Sequence, residues 1–360
     1  MRLLSARLIG LGPFADVTFP FADAGGAVRR VSVIYGGGGV GKTTLLAAIA
    51  STRPGHAVVL PGEASSESQP SERAPLAAEG RVPCAICDWA LGADEPARPH
   101  PIRVATPTVR VFDDDAREGL RRREQGHYDR QARAGGFALI AVSSLRWFSR
   151  QPLALSAPAR TIARFDVRAP SALDDASRSD LARETKQALA YAEISSALEL
   201  ARGSTARFGA LRDAMRHSVG TLAGLAGYSF LGLDAGSFEP MFSGEGGKPR
   251  SFDALPTAVR NLVALGALPV RTLAAAYPGV DPREAEGVVL VDEADASQDP
   301  ACQAGLARAL GEALPGAQWL LTTSSPRLAA SAEASEVMAL RRPTDAESVE
   351  LHVGAAARTH

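Results

Sequence analysis

The sequence predicts an α/β fold with a mostly parallel sheet at its centre. Continuous apolar runs at 31–35, 137–143 and 287–291 indicate strands that are covered on both faces, and 318–323 indicates one more core strand. A helical pattern follows the first and the third of these runs. Strands that alternate with helices along the chain are typical of parallel sheets.

The N-terminal region adds strands of a different kind. Runs at 3–9 and 17–19 lie on either side of a turn that contains glycine and proline, which predicts an antiparallel pair. Further strands are predicted at 84–89 and 102–112. We therefore expect an N-terminal antiparallel β subdomain inside a first lobe that covers residues 1–173.

A helical insertion is predicted in the middle of the chain, over residues 174–235. Ser177 and Asp180 have the spacing of a capping box. Two helices follow, one to about residue 202 and one over about 208–226. The insertion is too short and too poor in heptads to form a long coiled-coil arm.

The second lobe, residues 236–360, is predicted to complete the sheet. Runs at 238–242 and 250–252 flank a glycine-rich turn, which is a hairpin pattern. A helix is expected from Leu255 to about Ala276. Two edge strands are predicted at 336–341 and 348–353. In the first lobe, a charged helix is predicted at 117–134.

The composition describes a chain with a full hydrophobic core and almost no net charge. Hydrophobic residues make up 46%, and 39 basic against 40 acidic residues leave a net charge of −1. Charge therefore gives no argument for nucleic acid or a membrane surface. Residues 54–83 collect Pro, Ser, Glu and Gly without periodicity, which predicts a mobile surface loop. Without a leader pattern or a run of about 18 apolar residues, we expect a cytoplasmic protein with no membrane partner.

The chain has few cysteines and few lysines, so the place of each one in the sequence is evidence about its role. Cys84 and Cys87 have the spacing of a zinc or redox pair, but no second pair exists to complete a zinc site. Buried thiols in a strand are the alternative interpretation, and the one we favour. The lysines of the chain are Lys42, Lys186 and Lys248.

A phosphate-binding pattern lies between the first core strand and its helix. Residues 36–43 match G-x-x-x-x-G-K-[ST]. In such a loop the backbone N–H groups and the helix N-terminus surround phosphate, Lys42 reaches the β- and γ-phosphates, and Thr43 is a ligand of Mg²⁺. The sequence therefore predicts a P-loop NTPase that uses ATP and Mg²⁺. The candidate nucleotide-binding residues are Gly36, Gly37, Gly38, Gly39, Val40, Gly41, Lys42, Thr43 and Thr44.

Two carboxylates end the late apolar strand and supply the other half of such a site. Asp292 is the candidate Mg²⁺ ligand beside Thr43, and Glu293 is the candidate that polarises the attacking water. Phosphoryl transfer needs an oriented nucleophile and charge neutralisation, which this pair and Lys42 supply. We therefore predict an ATPase whose catalytic residues include Lys42 and Glu293.

Taken together, these motifs resemble those of ABC-type ATPase heads. The N-terminal strand pair, the P-loop, the helical insertion, the late Asp292-Glu293 and the closing 320–326 segment carry the resemblance over nearly the whole chain. It is similar to the recombination, chromosome-maintenance and phage-defence branch, including the overcoming-lysogenisation-defect-like AAA family ATPases. The resemblance implies a homodimer around ATP and a DNA-linked process in repair or defence. The chain ends soon after Val353, so any nuclease or other effector is expected to be a separate protein.

Two positions depart from the family pattern. The last core strand of that branch usually ends in a histidine that contacts the γ-phosphate, and here Ser324 stands at that position. A hydroxyl cannot carry a proton as imidazole does, so the resemblance implies slow hydrolysis with Ser324 as the third catalytic candidate. The L-S-x-G signature that covers the partner's ATP is replaced by residues 255–258, which lack the Ser and the Gly. Residues 243–245 mimic that signature but lie in the predicted hairpin.

Other assignments are weaker or absent. At the start of the helix, the N–H of Thr257 is still expected to face a γ-phosphate. The D-loop position is held by 295–300, and the phosphate-sensing loop offers only Ser143, Ser144 and Arg146.

The main alternative function is a nucleotide-dependent switch that binds a partner protein and hardly hydrolyses ATP. Ser324 and residues 255–258 favour it, whereas Lys42, Asp292 and Glu293 favour an enzyme. A partitioning ATPase would need a lysine in place of a P-loop glycine, and a GTPase would need an N-K-x-D motif.

Overall fold

The computed structural model describes residues 1–52, 77, 82–91, 100–134, 137–150, 152–153, 180–203, 207–244, 246–344 and 348–358. Apart from 77, 82 and 83, the predicted loop 54–83 lies outside these residues. The strands are β1 Arg2–Leu11, β2 Phe14–Pro20, β3 Val31–Gly36, β4 Cys84–Ala90, β5 Ile102–Thr106, β6 Leu139–Val142, β7 Ser229–Leu233, β8 Pro240–Ser243, β9 Pro249–Ser251, β10 Gly287–Val291, β11 Ala317–Thr323, β12 Val337–Arg341 and β13 Glu350–Val353. The helices are α1 Lys42–Ser51, α2 Asp115–Ala134, α3 Leu181–Ala201, α4 Arg207–Gly224, α5 Thr257–Ala276, α6 Pro300–Ala313, α7 Pro326–Ser331 and α8 Ala355–Arg358.

The described strands form three sheets. The central sheet has the order β13-β12-β3-β11-β10-β6, and all its pairs are parallel except β12 with β13. The N-terminal sheet has the order β2-β1-β4-β5 and is antiparallel. A small antiparallel sheet, β7-β8-β9, comes directly before α5 in the chain. This arrangement is the predicted α/β fold with an N-terminal antiparallel β subdomain.

The central sheet is covered on both faces, which explains the uninterrupted apolar runs. Val33 and Val289 face a core made with α3, α4, α5 and α6. Ile34 and Leu290 face the opposite core, made with α1 and the N-terminal sheet. Because successive side chains of a strand point to opposite faces, neighbouring residues of one strand belong to different cores.

Several element boundaries differ from the sequence prediction. β5 ends at Thr106, directly before Pro107, because proline has no N–H to donate to a ladder. Helix α3 begins at Leu181 with Asp180 as its N-cap, whose carboxylate accepts from the N–H of Ala182 at 3.1 Å. The predicted capping box starts at Ser177 and has Asp180 three residues later, so it is wrong about Asp180, which is itself the N-cap. Ser177 lies outside the described residues. The strand β12 is not an edge strand, since it pairs with both β3 and β13.

Most residues of helix α5 are buried. It packs against α3 and α4, and Ser218 donates a hydrogen bond to the carbonyl oxygen of Gly266 at 3.0 Å. Among the described residues it is the one helix long and apolar enough to cross a membrane, but most of that stretch is buried inside the molecule. Its N-terminal end is the exception, because the N-cap Pro256 and the first helical residue Thr257 are exposed.

Candidate functional site

The P-loop connects the end of β3 to the start of α1. The Lys42 ammonium group donates to the carbonyl oxygens of Gly36 at 2.9 Å and Gly37 at 2.7 Å. These two bonds leave one ammonium N–H for another acceptor. Helix α1 has no side-chain cap, so the N–H groups of its first turn are not used by a capping residue. Such a turn attracts anions.

The glycines of the loop serve two different purposes. A Cβ on Gly36 would lie 2.7 Å from the carbonyl oxygen of Leu340, and a Cβ on Gly41 would lie 2.7 Å from the Phe14 ring. Gly41 also has a φ of 92°, which side chains disfavour. By contrast, residues 37–39 are exposed and have open space around them. The close packing holds the ends of the loop, and its middle leaves room for a bound group.

Thr43 and Asp292 are brought into contact although 249 positions separate them. The Thr43 hydroxyl donates to Asp292 Oδ2 at 2.9 Å. Hydroxyl and carboxylate oxygens are the donors that suit Mg²⁺, which is usually held by few protein ligands together with water and phosphate oxygens. This donor pair at the N-terminus of α1 therefore fits a Mg²⁺ ion bound with nucleotide phosphates.

Thr322, which no sequence motif singled out, holds the Asp292 carboxylate and the main chain of Glu293 in place. Its hydroxyl donates to Asp292 Oδ1 at 2.6 Å and accepts from the N–H of Glu293 at 2.8 Å. The parallel pairing of β10 with β11 brings this about, because Val291 lies opposite Leu321. The signal available in the sequence was a threonine near the end of the core strand predicted at 318–323.

Glu293 lies in a strained turn. Its φ is 45°, and among the described residues only Phe238, Glu293 and Ser297 combine a side chain with a positive φ. Such conformations persist where the surroundings enforce them, and they gather at functional sites. The Glu293 side chain is exposed and makes no hydrogen bond or ion pair with the described residues. Its carboxylate is therefore available to a ligand or to water.

Arg146 contacts the same turn from the loop that follows the neighbouring strand β6. Its Nη2 donates to the carbonyl oxygens of Asp292 at 2.5 Å and Glu293 at 2.9 Å. Burial lowers the pKa of Arg146 to about 10, while the charges of Asp292, Asp295 and Glu293 oppose that shift. The guanidinium therefore stays protonated at neutral pH.

The remaining candidates lie around this centre with fewer contacts. Ser324 is exposed and follows the last residue of β11. In the D-loop position, Asp295 accepts a hydrogen bond from the hydroxyl of Thr323. From outside the P-loop, Arg342 donates to the carbonyl oxygen of Gly39 at 3.0 Å.

The signature position coincides with the exposed first turn of α5. Pro256 is the N-cap residue of α5, and its side chain makes no capping hydrogen bond. The Gln298 side chain donates to the carbonyl oxygen of Ala258 at 3.1 Å, which ties this turn to the loop after Glu293. The segment that mimics the signature does not start a helix, since Ser243 is the last residue of strand β8.

The two cysteines of the CxxC pattern point to opposite faces of β4. Cys84 belongs to a small core on the outer face of the N-terminal sheet, and Cys87 belongs to the core around α1. Burial raises the pKa of the Cys84 thiol to about 11 and that of Cys87 to about 12. Both are thus unreactive thiols at neutral pH and cannot act as a pair.

The whole chain is similar in fold to solved structures of other proteins. The Smc head bound to the C-winged helix domain of ScpA matches with 13% identity and a TM-score of 0.55, over 99% of this chain and 98% of that chain. The Smc head domain with an extended coiled coil, bound to the C-terminal domain of ScpA derived from Pyrococcus furiosus, matches with 13% identity and a TM-score of 0.52, over 97% and 95%. No protein-family model and no curated protein matches the sequence. At this identity the likeness concerns the fold alone. The chain has the fold of an SMC head, which confirms the predicted ABC-ATPase-like architecture.

Proposed function

We propose that this chain binds ATP with Mg²⁺ on residues 36–44 and hydrolyses it, and that two copies close around the nucleotide. The observation that carries the proposal is the 2.9 Å contact between Thr43 and Asp292, because it joins the two halves of a Mg²⁺–nucleotide site. Bound Mg²⁺ would neutralise charge on the β- and γ-phosphates. Lys42 donates to the same phosphates, and the Glu293 carboxylate accepts a proton from the attacking water.

Substitution of Glu293 tests hydrolysis directly. We expect Glu293→Gln to lower kcat for phosphate release at least about 100-fold, because a positioned base contributes roughly 10²–10⁴-fold. ATP binding should persist, since the amide keeps the size of the side chain. Glu284→Gln, at an exposed glutamate before β10, is the matched control and should leave kcat unchanged. Equal turnover in wild type and Glu293→Gln would overturn the proposed activity.

The process that ATP would serve is proposed to involve DNA, in repair or anti-phage defence. The motif resemblance supports this, whereas the net charge of −1 offers no general attraction to DNA. The turnover assay should therefore be run with and without duplex DNA at low salt. A rise in turnover that higher salt abolishes is the expected result. The same turnover under all these conditions would be compatible with the proposed ATPase activity but would rule out the proposed role of DNA.

A nucleotide-dependent switch that binds a protein partner is the second candidate. It is favoured by Ser324, exposed where a histidine is usual in the resembling family, and by the altered turn at 255–258. Two of the similar heads are described in complex with ScpA domains. ATP binding without turnover in wild-type protein would favour the switch over the enzyme.

A further inference from the structure

The loop after β6 reaches the candidate site because of the sheet order. Strand β6 is the parallel neighbour of β10, and the N–H of Asp292 donates to the carbonyl oxygen of Val142 at 2.9 Å. Carboxyl ends of parallel strands meet at one edge of the sheet. Residues 143–148, called here the β6 loop, therefore leave the sheet directly beside the Asp292–Glu293 turn.

Arg146 joins this loop to that turn through main-chain atoms. Its Nη2 bonds to the carbonyl oxygens of Asp292 and Glu293, and its Nε donates to the carbonyl oxygen of Ser143 at 3.0 Å. A guanidinium is a rigid plane, so these bonds fix the loop and the turn relative to each other. Lysine at this place would keep the charge without the fixed plane.

The turn depends on such support because nothing holds the Glu293 carboxylate itself. With no hydrogen bond from the described residues to that carboxylate, the main chain sets the direction in which the side chain leaves. That main chain has a φ of 45°. Thr322 binds its N–H group, and Arg146 binds its carbonyl group.

The guanidinium also has a donor that the described fold does not use. Arg146 Nη1 is buried and has no hydrogen-bond partner among the residues that the structure describes. That N–H is therefore available to a bound group or to water.

We propose that Arg146 is a positioning residue that aims the Glu293 carboxylate by holding the carbonyl groups of Asp292 and Glu293. The proposal rests on the proposed ATPase function. Arg146 acts through Glu293, and no direct contact with the nucleotide is required.

Steady-state kinetics and ATP binding of Arg146→Ala test this role. We expect kcat to fall about 10- to 100-fold while the Kd for Mg²⁺–ATP changes less than about threefold, because the residue serves the chemical step. Arg146→Lys should recover part of kcat. Arg150→Ala, at an exposed arginine shortly after the β6 loop, is the matched control. An Arg146→Ala protein with normal kcat, or one whose Kd rises as strongly as its kcat falls, would overturn the proposal.

A double-substitution cycle separates this inference from the proposed function. In Glu293→Gln protein, Arg146→Ala should lower the residual single-turnover rate by less than about twofold, because the side chain that it aims is already inactive. The same 10- to 100-fold loss in both backgrounds would show that Arg146 acts independently of Glu293. If Glu293→Gln alone has normal turnover, the proposed function fails instead. Cooperative thermal unfolding of every variant excludes misfolding as the cause, and Arg146→Lys serves if the alanine variant does not fold.

Discussion

At the scale of single residues, two of the three lysines lie where a compact cation is needed. Lys42 lies in the P-loop, and Lys186 is completely buried in α3. The Lys186 ammonium contacts Glu239 Oε1 at 3.1 Å and Asp253 Oδ2 at 2.9 Å. It thereby ties the insertion to the small sheet and to the turn that precedes α5. Lys248, in contrast, is exposed.

Removal of the buried lysine should destabilise the fold strongly. We expect Lys186→Met to lower the free energy of unfolding by about 2–4 kcal/mol, because it leaves two partly buried carboxylates facing each other without a cation. Denaturant unfolding measures this as a lower midpoint. Lys248→Met is the matched control and should change stability by no more than about 0.5 kcal/mol. Similar midpoints for the two variants would show that the Lys186 contacts do not stabilise the protein.

At the scale of elements, the crossing of α4 and α5 depends on a glycine. A Cβ on Gly266 would lie 2.9 Å from the Cα of Val219, so the two helix backbones are in close contact there. A Cβ on Gly220, one residue further along α4, would meet nothing within 4 Å. A sequence pattern shows both as glycines within helices and cannot distinguish them.

Alanine at these two glycines should therefore have opposite effects. Gly266→Ala should destabilise the protein by about 1–3 kcal/mol through overpacking, although alanine is the better helix former. Gly220→Ala should be neutral or stabilising by up to about 1 kcal/mol. Thermal and denaturant unfolding of both variants give the comparison. A stabilising effect of Gly266→Ala would mean that the helices separate without cost.

The β6 loop is also an element that reaches two parts of the site. Beyond Arg146, the ring of Phe148 lies 6.1 Å from that of Phe252, and the Arg260 guanidinium lies 5.3 Å from the Phe148 ring. Arg260 is in the first turn of α5. One short loop therefore contacts both the Asp292–Glu293 turn and the helix end that is expected to face a second copy.

At the scale of the whole molecule, the sequence predicted contiguous motifs well, but it did not predict contacts between residues on different strands. The P-loop and the carboxylates after β10 are contiguous motifs, so their residue types and their strand and helix context are visible in the sequence. Thr322 and Arg146 act across neighbouring strands, and only the order β11-β10-β6 brings them to Asp292 and Glu293. For the same reason β12 was wrongly predicted as an edge strand, because an apolar five-residue run does not reveal how many neighbours it has.

The tryptophans provide a natural reporter for assembly of the whole molecule. Trp89 and Trp319 are 0% exposed, whereas Trp147 in the β6 loop is 60% exposed. Because the chain has three tryptophans in all, quenching by a soluble agent reports mainly on Trp147. That residue lies next to Arg146, beside the Asp292–Glu293 turn. Closure of two copies over this edge of the sheet should cover it.

Glu293→Gln protein with Mg²⁺–ATP should form a dimer in which Trp147 is protected. We expect the mass from light scattering to double and acrylamide quenching to fall in parallel as protein concentration rises, because burial in an interface requires the second copy. Trp147→Phe in the same background should abolish the change in quenching and leave only the change in mass. Quenching that falls equally at all concentrations would indicate movement of the loop within one chain. A constant monomer mass with unchanged quenching would remove the dimer from the proposed function, since the exposed turn of α5 would then have no nucleotide to cover.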